Sequence, residues 1–315
     1  MRFYFAPMEG LTDRIYRRLH HKYFSGIDRY YTPFISPTIH RHLTHREELE
    51  LPFADTVPFD VIPQILTKMP EDFLWAAEQC RDRGYAEVNL NVGCPSGTVV
   101  SKGKGAGMLA DPDALERFLD AVFAASPPIP VSIKTRIGLT DASEFPKLLE
   151  IYNQYPIKEL IVHPRVRKVF YEGSVDTEMF RYCTVNSKNP VCFNGNLCSV
   201  HQIHGLSKEF PGVEAVMLGR GLIGDPGMLS PGGTTVAALE AFCNELLEAY
   251  VQEFGGSRNA MFRLKENWRY LLRHFDNSEK LGKRLRKTTD LNEYRSITAE
   301  IFHTLPFRPE LQPDW

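Results

Sequence analysis

Eight short apolar, β-branched runs recur along this 315-residue chain, with helix-like segments between them. They are Phe3–Ala6, Tyr30–Ile35, Asp60–Leu66, Ala86–Val92, Val131–Thr135, Glu159–His163, Val191–Asn194 and Ala215–Leu218. Short apolar runs bounded by turn residues read as strands. The intervening segments carry helix signals: Pro70 opens the pattern Phe73, Leu74, Ala77 and Gly84 closes it, while Asp111-Pro112 caps Leu115, Phe118, Leu119 and Val122. Eight strands alternating with helices over roughly 230 residues match the count and size of a (β/α)8 TIM barrel. A doubly wound sheet is the alternative, but its first turn normally carries G-x-G-x-x-G, which Ala6-Pro7-Met8-Glu9-Gly10 does not.

After Pro231-Gly232-Gly233 the pattern changes. Val236, Leu239, Phe242, Cys243, Leu246, Leu247, Tyr250 and Phe254 keep helical spacing until Gly255-Gly256, and further helices are expected around 261–275, 281–287 and 291–305. The division expected is a barrel over 1–232 and a smaller all-helical domain over 233–315. Net charge is −2, unevenly spread: between Arg258 and Lys287 stand ten Lys or Arg, Arg263, Lys265 and Arg269 among them, against three acids. An acidic body with a basic C-terminal region suggests a polyanion contacted by one part of the surface. Six scattered cysteines with no Cys-x-x-Cys pair fit a reducing cytosol better than disulfides or zinc. No stretch of about 18 uncharged apolar residues is present, so no membrane span is expected, and the N-terminus reads as too short in apolar residues for a signal peptide. A soluble, cytoplasmic monomer is the expectation. His40, His42 and His45 lie close in sequence, but Arg41 and Arg46 interleave them and no Cys or carboxylate completes a set, so no metal site is expected.

The polar residues fall where a barrel uses them. Gln64, Asn91, Lys134, His163, Asn194 and Gly219-Arg220-Gly221 each lie at or beyond the C-terminal end of an expected strand, the face that holds a barrel's active site. Cys94 follows one of these ends in Asn91-Val92-Gly93-Cys94-Pro95-Ser96, ahead of the loop Gly103-Lys104-Gly105-Ala106-Gly107. Lys134 in a barrel mouth can form a Schiff base or place charge beside a developing anion. Gly219-Arg220-Gly221 after the eighth strand suits a phosphate, which glycine N–H groups can approach closely.

Taken in order, Ala6-Pro7-Met8-Glu9-Gly10-Leu11-Thr12-Asp13, Asn91 to Ser96, Lys134-Thr135-Arg136-Ile137-Gly138, Val162-His163-Pro164-Arg165, Asn194-Gly195-Asn196 and Leu218-Gly219-Arg220-Gly221 resemble the tRNA-dihydrouridine synthase family. The resemblance implies an FMN-binding barrel that reduces a uridine of tRNA to 5,6-dihydrouridine with NADPH as electron source, the basic helical tail standing where that family binds RNA. It implies Pro7 and Met8 against the flavin, Gln64 on its ring, and Lys134 neutralising the reduced ring. His163, Asn194, Gly195, Asn196, Gly219 and Arg220 would hold the ribityl-phosphate arm. On the substrate side stand Asn91, Arg136, Arg165 and the tail cations Arg263, Lys265 and Arg269. Hydride would reach C6 of uracil, and Cys94, a neutral thiol with an ordinary pKa near ~8.5, would protonate C5. Two segments depart from the family's pattern: Val166 to Tyr171 after the His-x-Arg block, and Pro33 after Thr32. The alternatives are an FMN-dependent barrel oxidoreductase acting on a free pyrimidine, like dihydroorotate dehydrogenase, a Schiff-base aldolase using Lys134, and an RNA-binding protein with a vestigial barrel.

Overall fold

Pro63 decides how the sheet closes. The structure, a computed structural model, describes residues 1–38 and 40–310. Its parallel strands are β1 (Arg2–Phe5), β2 (Arg29–Tyr31), β3 (two pieces, Val61–Ile62 and Gln64–Ile65), β4 (Val88–Val92), β5 (Val131–Arg136), β6 (Leu160–His163), β7 (Val191–Asn194) and β8 (Ala215–Leu218). Pro63 has no N–H for the ladder, so β3 breaks there. Its first piece pairs with β2 and its second with β4, so the broken strand joins both edges of the sheet and closes the barrel. The proline carbonyl still serves, accepting from the Asn89 N–H at 2.8 Å.

Strand periodicity then builds the site. Tyr4, Tyr31, Ile62, Ile161, Cys192 and Met217 pack together inside the barrel. Two residues further along β3, β6 and β7, on the same face, stand Gln64, His163 and Asn194. The apolar plug thus gives way to polar groups at the C-terminal mouth, where a TIM barrel places its chemistry.

Helices α1 (Arg14–Tyr23), α2 (Pro70–Asp82), α3 (Pro112–Ala124), α4 (Phe145–Tyr152), α5 (Thr177–Asn186) and α6 (Val200–Glu209) follow strands as outer crossovers. Asp13 and Asp111 cap α1 and α3 through the N–H groups of Tyr16 and Ala114. After β8 comes only the single turn α7 (Arg220–Gly224), followed by α8 (Val236–Phe254), α9 (Ser257–Leu271), α10 (Glu279–Lys287) and α11 (Leu291–Thr304). Gly255, at φ +62°, ends α8 in the left-handed conformation glycine tolerates.

The hydrophobic core runs across residue 232. Phe242 of α8 meets the rings of Tyr16, Tyr23 and Phe24 at 5.4, 6.1 and 5.3 Å. Arg14–Glu253 and Lys22–Glu245 pairs flank that contact. Helix α8 therefore covers α1, a task the five residues of α7 are too few to perform. Beyond it, Trp268 of α9 donates to the Tyr294 hydroxyl of α11 at 2.8 Å and packs on Phe302. Change in helix pattern at 232/233 is thus not a break in packing. Phe242→Ala should destabilise the protein by about 3–5 kcal/mol, as should Phe180→Ala on the barrel wall, where Phe193 and Phe210 lie 4.8 and 5.1 Å away. Both variants should shift one common denaturation transition; two transitions, with one variant moving only one of them, would show separate units.

Candidate active site

A cavity of about 550 Å³ opens at the C-terminal mouth. Pro7, Met8, Gln64, Lys134, His163 and Arg220 line it, as do Asn194, Gly195, Asn196 and Gly219. Cys94, Asn91 and Arg136 share the same space. The structure therefore brings together every residue the sequence pointed to for a cofactor, and the thiol with them.

The floor of the cavity is cationic. Arg136 is buried, donating to the carbonyls of Gly93 (3.0 Å) and Val166 (3.2 Å). Arg165, also buried, donates to His163 Nε2 at 2.9 Å, to Asn196 Oδ1 at 3.3 Å and to the carbonyls of Glu172 and Gly173. Arg220 reaches the same Asn196 oxygen at 2.7 Å. Among the described residues Lys134 has no hydrogen bond or ion pair, and no carboxylate pairs with Arg136 or Arg165. Burial, followed by repulsion from Arg136, lowers the Lys134 ammonium to about 8. Arg165 falls to about 10 through burial and then through Arg220 and Arg136. His163 is held well below its usual range by burial and then by Arg136, Lys134, Arg165 and Arg220. It is therefore a neutral imidazole. Arginine can only donate, so Nε2 is the acceptor and Nδ1 carries the proton. Glu9, the carboxylate that lines the cavity among the described residues, is paired with Arg46, so Lys134, Arg136 and Arg165 leave the mouth with an excess of positive charge.

Amide groups tie the thiol to the sheet. Asn89 Nδ2 donates to Ser132 Oγ (3.0 Å), Gln64 Nε2 to Asn89 Oδ1 (2.8 Å) and Asn91 Nδ2 to Gln64 Oε1 (2.7 Å). Asn91 Oδ1 then accepts from the N–H groups of Gly93 (3.1 Å) and Cys94 (2.9 Å). The chain fixes where the Cys94 loop leaves β4. Behind it, Gly105 sits at φ +56°, where a Cβ would stand 3.0 Å from that of Cys94. Burial raises the Cys94 thiol above its usual range; a Ser96 backbone hydrogen bond, Lys134 and Arg136 only partly oppose this. At neutral pH it keeps its proton.

Backbone supplies the remaining donors. Among the described residues the N–H groups of Gly195, Asn196 and Gly219 donate no hydrogen bond within the protein. A Cβ on Gly221 would run into the Leu197 carbonyl, and one on Gly219 would lie 3.3 Å from Met8 Sδ. These glycines let β7 and β8 loops close on each other and expose their amides to the cavity.

Some expected contacts lie elsewhere. Arg263 is engaged by the Gly10 carbonyl and lies 3.8 Å from Asp13; Lys265 is spent on the carbonyl of Thr288, the C-cap of α10. Both are tied to their own protein, and neither lines the cavity. Arg269 is exposed. Conversely, Tyr171 and Tyr270 line the cavity and sequence reading missed both. The Tyr171 ring stacks on His163 (5.9 Å) and lies 5.2 Å from the guanidinium carbons of Arg136 and Arg220. It belongs to the segment that departs from the family's pattern, so that departure roofs the site. Of the histidines outside it, His40 and His42 stack, and no metal-holding group of three His, Cys, Asp or Glu occurs among the described residues. No helix among them is long and apolar enough to cross a membrane.

Fold and site together define a (β/α)8-barrel protein with a cationic mouth and a protonated thiol. A family model, Dihydrouridine synthase (Dus), matches residues 4–303, and the chain belongs to that family. Among its relatives, tRNA-dihydrouridine synthase B of Pasteurella multocida (strain Pm70) is 26% identical over 226 residues, 71% of this chain and 67% of the relative. A probable tRNA-dihydrouridine synthase of Staphylococcus aureus (strain COL) is 28% identical over 233 residues, 71% of this chain and 69% of the relative. In fold, a variant of NCR from Zymomonas mobilis is similar at a TM-score of 0.50 and 13% identity, over 71% of this chain and 83% of that one.

Cys80, Cys183, Cys192, Cys198 and Cys243 are buried, so alkylation of the native protein should label Cys94 alone. Its labelling rate should stay low at pH 7 and rise only above the ordinary thiol range, read by peptide mass spectrometry; rapid labelling at pH 6 would mean a thiolate instead. Lys134 gives a second test. Its folded value of about 8 lies below the usual 10.5, so the unfolded chain binds more protons between these values. Stability of the ligand-free protein should therefore gain from this group as pH rises from 8 to 10.5, a slope that Lys134→Met removes.

Proposed function

We propose that this chain is a tRNA-dihydrouridine synthase that reduces a uridine of tRNA to 5,6-dihydrouridine, with FMN as cofactor and NADPH as electron donor. The observation that carries this reading is the set Lys134, Arg136 and Arg165, with no carboxylate partner among the described residues, beside an amide-held, protonated thiol at one cavity. The residues fit FMN. Arg220, neutral His163 with its Nδ1–H, and the open N–H groups of Gly195, Asn196 and Gly219 suit a phosphate and its polyol arm. Asn196 orients two arginines and Asn194 bridges to the Met217 carbonyl. Pro7 and Met8 provide an apolar wall, Gln64 a ring-edge amide, and Lys134 an ammonium with no hydrogen bond or ion pair among the described residues.

When bound, FMN supplies hydride to C6 of the uracil. The side chains do the rest. Lys134 puts positive charge beside the electron-rich ring. Arg136 and Asn91 bound the space left for the base, and Asn91 positions the Cys94 loop. Negative charge moves toward C5 and O4 of uracil, and Cys94 holds a proton at Sγ for C5. Lys134 and Arg136, which both lower the thiol's pKa, stabilise the thiolate left behind. Electrons and protons balance: one hydride and one proton saturate the C5–C6 bond.

The target base must leave its stack to enter a barrel mouth. The barrel, residues 1–232, carries the chemistry and residues 233–315 dock the RNA. Support comes from six exposed cations on α9 and α10, namely Arg258, Arg269, Lys280, Lys283, Arg286 and Lys287, which have no ion pair among the described residues. Tyr270 of α9 carries the helical part into the cavity itself, a contact a free-pyrimidine enzyme would not require. Arg165 acts by holding His163 and Asn196, and Arg263 by fixing α9 on the barrel. The enzyme works as a cytoplasmic monomer.

Incubation with FMN, NADPH and tRNA from a strain lacking dihydrouridine should produce a uridine heavier by two hydrogens, seen by nucleoside mass spectrometry. Cys94→Ala should retain flavin and NADPH oxidation while product formation falls about 10²–10⁴-fold; an unchanged yield would remove Cys94 as the acid.

A further inference from the structure

Phe262 stands apart from the rest of α9. Its side chain is 71% exposed, whereas Met261, Leu264, Trp268 and Leu271 of the same helix are buried. Helical spacing puts Arg258 four residues before it, and Glu266 and Arg269 four and seven residues after it, on one exposed face. The side chains of Arg258 and Arg269 make no ion pair or hydrogen bond among the described residues. This face lies beside the barrel mouth. Arg263, the next residue, grips the Gly10 carbonyl of the loop after β1, and Tyr270, eight residues on, lines the cavity.

A lone exposed phenyl ring could serve several partners, but its neighbours narrow the choice. Unpaired arginines on either side demand negative charge, and a flat apolar ring between them demands a flat apolar face. Single-stranded nucleic acid carries both, phosphates spaced along a backbone and a π-face on every base, and aromatic residues in basic grooves are the usual way of holding it. We propose that Phe262 is a stacking platform for an unpaired nucleotide of the substrate RNA, outside the catalytic cavity, with Arg258 and Arg269 on the neighbouring phosphates. The proposal rests on the RNA reading above and adds to it a second base-binding point.

The test uses the flavin-loaded full chain and an unmodified tRNA transcript, with Kd measured by fluorescence anisotropy across a salt series. Phe262→Ala should raise Kd between about five- and a hundredfold without changing the slope of log Kd against log salt, and Phe262→Trp should restore affinity. Arg258→Ala should reduce that slope by about one phosphate contact. With Phe262→Ala, KM for tRNA should rise while kcat at saturating tRNA is retained, because the ring is outside the cavity. If the parent protein binds tRNA and Phe262→Ala binds equally well, the platform is refuted and the enzymatic reading survives. If Phe262→Ala instead abolishes self-association in sedimentation with tRNA affinity unchanged, the ring belongs to a contact between copies. A parent protein with no tRNA affinity would overturn the RNA reading and this inference together.

Discussion

Positive charge crowded into one barrel mouth, Arg136 and Arg165 buried and Lys134 and Arg220 half-buried, is the constraint on which this site depends. Lys134, Arg136, Arg165 and Arg220 surround a neutral imidazole at the mouth of the barrel, and like charges at 4 Å repel by roughly 4 kcal/mol even at an effective dielectric constant of 20. The fold tolerates this by occupying the guanidinium donors. Carbonyls of Gly93, Val166, Glu172 and Gly173 accept from Arg136 and Arg165, Asn196 holds two arginines, and the Tyr171 ring lies against a third pairing of charges. Lys134 is the exception. With no hydrogen bond to its ammonium among the described residues, it can relieve the repulsion by shedding its proton or by acquiring an anion. On the function proposed above, a ligand carrying a phosphate and an electron-rich ring would answer both parts of the cluster at once.

The thiol shows the opposite strategy. Cys94 lies close enough to Lys134 and Arg136 for both to favour its thiolate, yet burial outweighs them. A fully formed thiolate would suit nucleophilic attack; a proton held against nearby positive charge suits donation followed by stabilisation of the conjugate base. The amide chain from Ser132 through Asn89, Gln64 and Asn91 makes this placement a property of the sheet. Because each link joins neighbouring strands, the thiol's position is set by the register of β3, β4 and β5 and not by a free loop. It also assigns Asn91 Oδ1 to the Cys94 loop, leaving less of that side chain for the base than the sequence motif alone suggests.

Period-two alternation made the strands legible, and the polar residue at each strand's end made the cavity legible: six strand-end positions chosen from sequence meet in one space. What escaped needed three-dimensional phase. Pro63 falls inside the run 60–66, yet only the pairing partners on either side show that it closes the barrel. Tyr171 follows a segment with no periodicity, and Phe170 before it, at φ +51°, turns the chain in a conformation that sequence gives no reason to expect. Tyr270 sits in a helix whose apolar stripe explains it equally well as core. Arg263 and Lys265 read from sequence as substrate-side cations because a tally of charge cannot see a carbonyl; their partners, Gly10 and Thr288, are 253 and 23 residues away.

The segment Gly10-Leu11-Thr12-Asp13 explains why the packing runs through residue 232. Thr12 Oγ1 accepts from the Met8 N–H at 2.8 Å, shaping the turn that presents Pro7 and Met8 to the cavity. Asp13 caps α1 through Tyr16, accepts from the Tyr250 hydroxyl of α8 at 3.0 Å, and faces Arg263 of α9. One half-buried carboxylate thereby joins the first barrel loop to both helices that begin the C-terminal region, while Arg263 returns to the Gly10 carbonyl one turn away. Residues that a motif reading would assign to cofactor contact alone also fix the angle at which α9 crosses the mouth. Any rotation of α9 relative to the barrel would have to break the Asp13 and Gly10 contacts first, so the distance between the outer face of that helix and the cavity is set by the loop that lines the cavity; on the function proposed above, that loop would also set how far an RNA docked on α9 stands from the thiol.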